Sequence, residues 1–500
     1  MSDTPAAITE PLTLANSYLD LPEGCYARVG PTEVSQPQLL RINRPLAEQL
    51  GLDPEALAAP EGLAALAGNR VPEGAEPLAL AYAGHQFGNF VPQLGDGRAV
   101  LLGEVTDRSG VRRDLQLKGA GRTPFSRAGD GRASLGPVIR EYLVSEGIAG
   151  LGIPTTRALA MVATGDPVLR QRVEPGGVIT RMAAGHVRVG TFEYFFRRGD
   201  YDTVRALADY VIERHYPALA ESDQPYKDLI EAVATRTADL VADWLLVGFI
   251  HGVMNTDNIA LSGETLDYGP CAFMDDYHPA TVYSSIDTGG RYAYDQQPTI
   301  AHWDLARFAE TLLPLLADDP DEALPIAKEA LDAYEPRFSA SYHAGLQRKL
   351  GLTEDRDSDP DLAMDLLGRM AAQGADFTLT FRRLSELGSE PDEADEAVRA
   401  LFADPASFDA WAIAWRSRLA AEGSDDAARR DAMRAVNPAY IPRNHRVEQA
   451  ITAAMDHGDL APIDELLTVL TDPFADHPGY EHLAAPPASH EVVTQTFCGT

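Results

Sequence analysis

The 500-residue sequence predicts an α+β fold of two lobes, the first strand-rich and the second helical, followed by a helical C-terminal extension. Three observations carry this. Between residues 80 and 118 short apolar runs, separated by glycines, have the look of antiparallel strands. From about residue 202 helical periodicity takes over, and after 300 nearly everything follows it. The chain is also too long for one ordinary core. Strands before helices place the lobes at 1–200 and 201–350 and the extension at 351–500.

Residues 1–75 mix turn-rich extended sequence with one helical pattern, PLAEQLGL. AVLLGEV (99–105) and RRDLQLKG (112–119) are the clearest strands. GAGRTPFSRAGDGRASLG (119–136) holds too much glycine for the interior of a helix or strand. Pro137 opens a helix, PVIREYLVSEGIAG, with proline near its first position and glycines closing it. The segment 155–195 reads as strands again. YDTVRALADYVIERHY and YKDLIEAVATRTADLVADWLLVGFI are helices, the second running straight into His251. Acidic loops at 353–361 and 388–396 break the helices that follow, and no internal repeat is visible.

Apolar residues make up 45% and charged residues 23% of the chain, the balance of a folded globular protein. Acidic residues outnumber basic ones 75 to 42, for a net charge of −33. That argues against general binding to nucleic acid or to anionic membranes; solubility or a salt-rich habitat is its bland explanation. The start, MSDTPAAITEPLTL, has no basic or apolar region of a secretion signal. LVADWLLVGFI (240–250) is too short to span a bilayer and contains Asp243. Three cysteines, Cys25, Cys271 and Cys498, make neither a disulfide framework nor a zinc site. A cytoplasmic protein is expected.

The chemistry concentrates in HGVMNTDNIALSGETLDYG (251–269). Two short apolar runs flank Ser-Gly-Glu, which predicts a β-hairpin with Asn258 and Asp267 opposite each other, backbones roughly 5 Å apart. A carboxylate and an amide oxygen converging there suit Mg²⁺, which takes hard oxygen ligands together with phosphate and water. Protein kinases build such a site from H-R-D-L-x-x-x-N followed by D-F-G. On that template His251, Asn258 and Asp267 fall into place, but the position of the kinase catalytic Asp holds Val253. Asp257 is then a turn residue, a residue supporting the metal, or a general base displaced by four positions.

Other residues gain meaning beside this motif. Lys118 ends an alternating strand, where kinases keep the lysine that holds ATP phosphates and pairs with a helix glutamate; Glu141 is 23 residues on. Gly95 and Gly97, followed by Arg98, form a turn that suits close approach to phosphate, though such turns are commonly plain hairpins. Asp130, Gly131 and Arg132 repeat the Gly-Asp-Gly-Arg pattern. Arg181 and Arg188 offer planar forks for phosphate, or pair with carboxylates. His85 and His302 receive no role. Cys498, third from the C-terminal end, is a spare thiol or one free to reach a partner, with Cys271 the favoured partner.

Four stretches resemble the selenoprotein O family (SelO, also called YdiU): YAGHQFGNFVPQLGDGRAVLLGE, DLQLKGAGRTPFSRAGDGRASLGPVIREYLVSE, HGVMNTDNIALSGETLDYGPCAFMDDY and RYAYDQQPTIAHWDLARFAETL. The resemblance runs from about residue 10 to the C-terminus. It implies a kinase-like bilobal fold, a pseudokinase that binds ATP in a flipped orientation. It also implies transfer of AMP to Ser, Thr or Tyr hydroxyls of proteins, with UMP transfer from UTP and Mn²⁺ ascribed to bacterial members. By motif match, Gly95, Gly97, Arg98, Asp130 and Gly131 would touch nucleotide, and Lys118, supported by Glu141, would hold phosphate. Arg181 and Arg188 would bind the terminal phosphate, Asn258 and Asp267 would bind Mg²⁺, and Asp257 would accept the proton. A C-terminal Cys is common in the family and is matched by Cys498. Phosphotransfer of ordinary kinase polarity, and a nucleotide-binding scaffold without turnover, are the rival readings.

Overall fold

A computed structural model describes residues 14–423 and 425–496. Twelve strands form: β1 (Tyr26–Arg28), β2 (Gln38–Ile42), β3 (Leu78–Leu80), β4 (Gly84–Gln86), β5 (Asn89–Val91), β6 (Ala99–Thr106), β7 (Arg112–Lys118), β8 (Ala133–Ser134), β9 (Arg157–Leu169), β10 (Val173–Ala183), β11 (Phe249–Ile250) and β12 (Ala272–Phe273). Eight make one antiparallel sheet in the order β1-β3-β6-β7-β10-β9-β2, with β8 pairing off the side of β10. The remaining strands form two small ribbons, β4–β5 and β11–β12. Both clear strand expectations are borne out, and β7 repays attention. Its apolar residues Leu115 and Leu117 pack into the core, while Asp114, Gln116 and Lys118 share the other face and are buried as well.

Three short helices, α1 (Arg44–Gln49), α2 (Pro54–Ala58) and α3 (Pro60–Ala67), cover one face of the sheet over a core that includes Leu46, Leu115 and Val162. α4 (Leu135–Gly150) packs against β9 and β10. It begins two residues before the expected Pro137, which sits in its first turn where no amide is needed. The reading of 155–195 as strands holds only as far as Ala183. Val189–Phe196 is a helix, α5, whose aromatic run favours a strand by propensity. Burial overrides that preference: Phe192 is fully enclosed and meets Phe308 edge-on at 5.1 Å.

The helical half continues with α6 (Tyr201–His215), α7 (Pro225–Leu246), α8 (Gln297–Leu316), α9 (Pro320–Leu331) and α10 (Tyr334–Lys349). α7 does not run into His251. It stops at Leu246, Gly248 turns the chain with φ +73°, and β11 delivers His251. α11 (Asp359–Gln373), α12 (Phe377–Leu384), α13 (Asp395–Arg399), α14 (Pro405–Glu422) and α15 (Asp426–Arg434) enlarge the same core, with Trp411 and Trp415 stacked at 5.8 Å.

The last segment turns back. α16 (Asn444–His457) and α17 (Ala461–Leu470) pack on α4, where Ile451, Leu466 and Leu470 meet Ile139 and Leu143; α18 (Glu481–Ala484) follows. The C-terminal extension therefore braces the strand-rich half as well as the helical half. Arg443, 1% exposed at the start of α16, joins Asp275 (2.6 Å) and Asp376 (2.7 Å) and fastens this return. Among the described residues no helix is long and apolar enough to cross a membrane. Arg443→Ala leaves two carboxylates without their buried cation and is expected to cost about 3–5 kcal/mol. Urea unfolding measures this, and a loss below about 1 kcal/mol would show that the bridge does not hold the extension.

Candidate active site

Between the sheet and the helical half lies a cavity of about 1000 Å³. It is lined by all the residues predicted to hold nucleotide or metal: Gly95, Gly97, Arg98, Lys118, Asp130, Gly131, Arg181, Arg188, Asp257, Asn258 and Asp267. Glu141 lies just behind, on α4.

Lys118 is the hub. It ends β7 with its ammonium donating to Glu141 Oε2 (2.7 Å) and to Asp267 Oδ1 (2.7 Å). The expected pairing with Glu141 is present, and Asp267 joins it. Arg181, opposite Gln116 in the β7–β10 register, bonds Glu141 Oε1 (3.3 Å) and donates through Nε to Gln116 Oε1 (3.1 Å). Gln116 Nε2 in turn donates to Asp96 Oδ2 (3.0 Å), which also accepts from the Leu80 amide (3.1 Å). Arg188 approaches Asp96 Oδ1 (3.8 Å), lies over the Tyr82 ring and donates to the Asp257 carbonyl (2.9 Å). One buried polar chain thus links β7, α4, β10, the Gly95–Gly97 turn and the Asp257 loop.

Asp96, Gln116, Tyr82 and Gln86 belong to the site and went unread in the sequence. Gln116 had a signal: it stands two residues before Lys118 on a strand, and so shares its face. Asp96 lay between the two glycines that drew the attention. Gly95 has φ +78°, and the Phe125 ring fills the space a Cβ would take, so chain packing alone accounts for its glycine.

The predicted hairpin at 259–266 is not formed. A single antiparallel bridge, Ile259–Thr265, replaces it, and Asn258 lies in a 3₁₀ turn, Thr256–Asn258. The segment is committed elsewhere: Ala260 bridges Arg188, and Asp267 takes a left-handed φ of +69°. His251 donates from Nε2 to the Leu266 carbonyl (3.0 Å) and accepts nothing from the cavity, so it pins the two motifs together. His85 pairs with Glu193, and its amide donates to Thr256 Oγ1 (2.7 Å), placing both beneath the Asp257 turn. His302 packs on Tyr334.

The two carboxylates differ in charge state. Burial alone would raise Asp267, but Lys118, Arg181 and Arg98 outweigh it and hold the group well below the usual range. Asp257 is pushed up to about 7 by burial, with Arg188 opposing. Its Oδ1 is buried without a partner against Gly84, where a Cβ would collide with it, and its Oδ2 is 3.4 Å from Gln86 Nε2. The surroundings of Asp267 favour its ionised form, while those of Asp257 favour proton exchange near neutrality. Among the described residues no three His, Cys, Asp or Glu side chains cluster as a metal site. Asn258, whose amide nitrogen donates to the Val253 carbonyl (3.0 Å), lines the same cavity as Asp267, so an amide oxygen and a carboxylate are the donors present there for a hard cation.

Other expectations fare unevenly. Asp130 is fastened by Arg170 (2.8 Å) and by the Arg132 amide (2.9 Å), which makes it a strut of the cavity rim. Cys271 is buried, its thiol pushed up to about 12 by that burial. Cys498 lies outside the described residues; Thr496, the last described residue, donates to the Pro270 carbonyl (2.5 Å).

A family model described as Protein adenylyltransferase SelO matches residues 10–471. A protein of Rhodopseudomonas palustris (strain BisB5), named Protein nucleotidyltransferase YdiU, is 61% identical over 485 residues, covering 97% of this chain and 98% of its own. Proteins of the same name from Alkalilimnicola ehrlichii and from Bradyrhizobium sp. (strain ORS 278) are 62% and 61% identical, with the same coverage.

Gln116→Leu removes the group that joins Arg181 to Asp96 and leaves their buried polar atoms unmatched. A loss of about 2–4 kcal/mol in chemical denaturation is expected, whereas an unchanged midpoint would mean that water replaces the glutamine.

Proposed function

The chain belongs to the SelO family of protein adenylyltransferases, and from that premise we propose that it transfers AMP from ATP to protein hydroxyl groups, releasing pyrophosphate. The observation that carries the reading is the geometry of one cavity: Lys118 sits between Glu141 and Asp267 (2.7 Å each), and Asp257 lines the same space with its Oδ1 buried and unpartnered, where burial pushes its carboxyl up to about 7. We read the two halves as lobes of a kinase-like fold, with Lys118 on its strand, Glu141 on the next helix, and His251, Asn258 and Asp267 following in template order. Val253 is then no defect, because a triphosphate entering reversed brings its α-phosphate, and not its γ-phosphate, to the reacting position.

In this reading Arg181 and Arg188 hold the terminal phosphate, and Lys118, supported by Glu141, holds phosphate beside Asp267. Their preset positions offset the charge that grows on the pyrophosphate leaving group. Asp257 accepts the proton of a Ser, Thr or Tyr hydroxyl as its oxygen bonds to the α-phosphorus. The bond from that phosphorus to the bridging oxygen breaks, and pyrophosphate leaves with the electron pair. Mg²⁺, or Mn²⁺, held by Asn258 and Asp267 would supply further neutralisation of phosphate charge when bound. Gly95, Gly97, Arg98, Asp130 and Gly131 face the rest of the nucleotide. UTP in place of ATP, giving UMP transfer, uses the same phosphate contacts. With ATP as donor, we read the reaction as a cytoplasmic one.

Label position tests the polarity. With α-labelled ATP the label should appear on protein, the enzyme included, and with γ-labelled ATP it should not. Stable γ-label on a hydroxyl would mean ordinary phosphotransfer, and metal-dependent binding without either label would mean a scaffold.

The two carboxylates should separate in their effects. Asp257→Ala is expected to slow transfer by on the order of 10²–10⁴-fold with nucleotide affinity largely kept. Asp267→Ala should abolish transfer and weaken metal-dependent nucleotide binding, since one protein ligand holds Mg²⁺ poorly. Equal losses of nucleotide binding, followed by calorimetry, would instead make Asp257 part of the metal site.

A further inference from the structure

The cations of the cavity are not spread evenly. In its deep part three have carboxylate partners, Lys118 with Asp267, Arg181 with Glu141, and Arg188 facing Asp96, while Arg98 has none within ion-pair distance among the described residues. At the outer rim this matching stops. Asp130 is taken by Arg170, while Arg122, Arg127 and Arg132 have no carboxylate within ion-pair distance among the described residues. Arg122 and Arg127 are exposed, and the Arg127 guanidinium makes no hydrogen bond within the described chain. In a chain of net charge −33, three such groups at one mouth create a local field opposite to that of the remaining surface.

The loop that carries them is held in place. Thr123 Oγ1 donates to the Asp96 carbonyl (2.6 Å), Ser126 Oγ donates to the Gly97 carbonyl, and Arg132 reaches the carbonyls of Thr32 (3.2 Å) and Glu33 (2.9 Å). Arg127 itself sits at φ +52°, a left-handed conformation that a side chain rarely adopts. Beside it the tip of the β9–β10 hairpin, clamped to Asp130 through Arg170, presents Leu169 (73% exposed) and Val173 (67% exposed). A cationic and an apolar surface therefore adjoin at the rim of the cavity that Asp257 lines.

We propose that this rim docks the acceptor protein through an acidic segment flanking the modified hydroxyl, with Leu169 and Val173 receiving an apolar neighbour. The inference rests on the transfer reading above and adds the class of acceptor to it. Arg122 does not line the cavity, so its charge serves something outside the nucleotide. A long nucleic acid would meet the repulsion of the acidic surface around the rim, which a short acidic segment of a folded protein avoids.

The test uses the full-length protein, α-labelled ATP and two synthetic peptides with the same acceptor tyrosine and leucine, one flanked by glutamates and one by lysines. The glutamate peptide should be modified with a kcat/KM on the order of tenfold higher or more, and the preference should shrink at high ionic strength. In Arg122→Glu, at a residue that does not line the cavity, the preference should fall to parity or reverse, while KM for ATP and self-labelling stay as in the wild type. Self-labelling is the internal control: its absence in the wild type would sink the transfer reading itself. With self-labelling intact, equal use of the two peptides, or use of neither, would overturn the docking proposal. So would an Arg122→Glu variant whose KM for ATP rises while peptide preference persists, since the rim would then serve nucleotide. Inhibition by a short RNA at lower concentration than by the glutamate peptide would assign the rim to nucleic acid and overturn it too.

Discussion

The Lys118 ammonium is buried between the carboxylates of Glu141 and Asp267, and the rest of the site is arranged around what that burial requires. An ammonium removed from water costs several kcal/mol unless well-placed charges surround it. A strand, a helix and a loop distant in sequence must therefore converge at one point. Glu141 has a second oxygen, which Arg181 takes; Arg181 has further donors, which Gln116 takes; and Gln116 leads to Asp96 and the glycine turn. Each partner added to satisfy a buried group brings another element into register, so the network specifies geometry more than it adds stability.

The same packing separates two carboxylates ten residues apart in sequence. Asp267 is ringed by cations and remains charged, whereas Asp257 is pressed against Gly84 and Gly190 with little but Arg188 and Gln86 to favour its ionised form. Close approach of backbone to the Asp257 turn is possible because neither glycine has a side chain there. Arg188 contributes to both regions, since the side chain that faces Asp96 also holds the Asp257 carbonyl. A ligand that drew Arg188 toward itself would act on Asp257 through that bond.

The extension has a comparable economy. By returning to pack on α4, it supports the helix that carries Glu141, and Arg140 of that helix pairs with Glu448 of α16. The tail then runs to Thr496 beside Pro270, three residues past Asp267. Residues remote from the cavity in sequence thereby restrain both walls of it.

The strands β6 and β7, the long helices and the composition of the site were legible in the sequence, because alternation, helical spacing and short motifs are local properties. Asn258 and Asp267 could be named from one short motif, Lys118 and Glu141 gained meaning only beside it, and Asp257 was singled out among its alternatives by the family resemblance. What tertiary structure decided was everything that depends on partners from elsewhere. The run 189–196 became a helix because it is enclosed on nearly all sides, and the hairpin at 259–266 shrank to one bridge because Ala260 pairs with Arg188 instead. Asp96 and Gln116 carry no motif; their roles exist only once Arg181 and Arg188 stand opposite them. Charge state was decided last of all, since a carboxylate's proton affinity depends on what surrounds it in space, and neither Asp257 nor Asp267 carries that information in its neighbours along the chain.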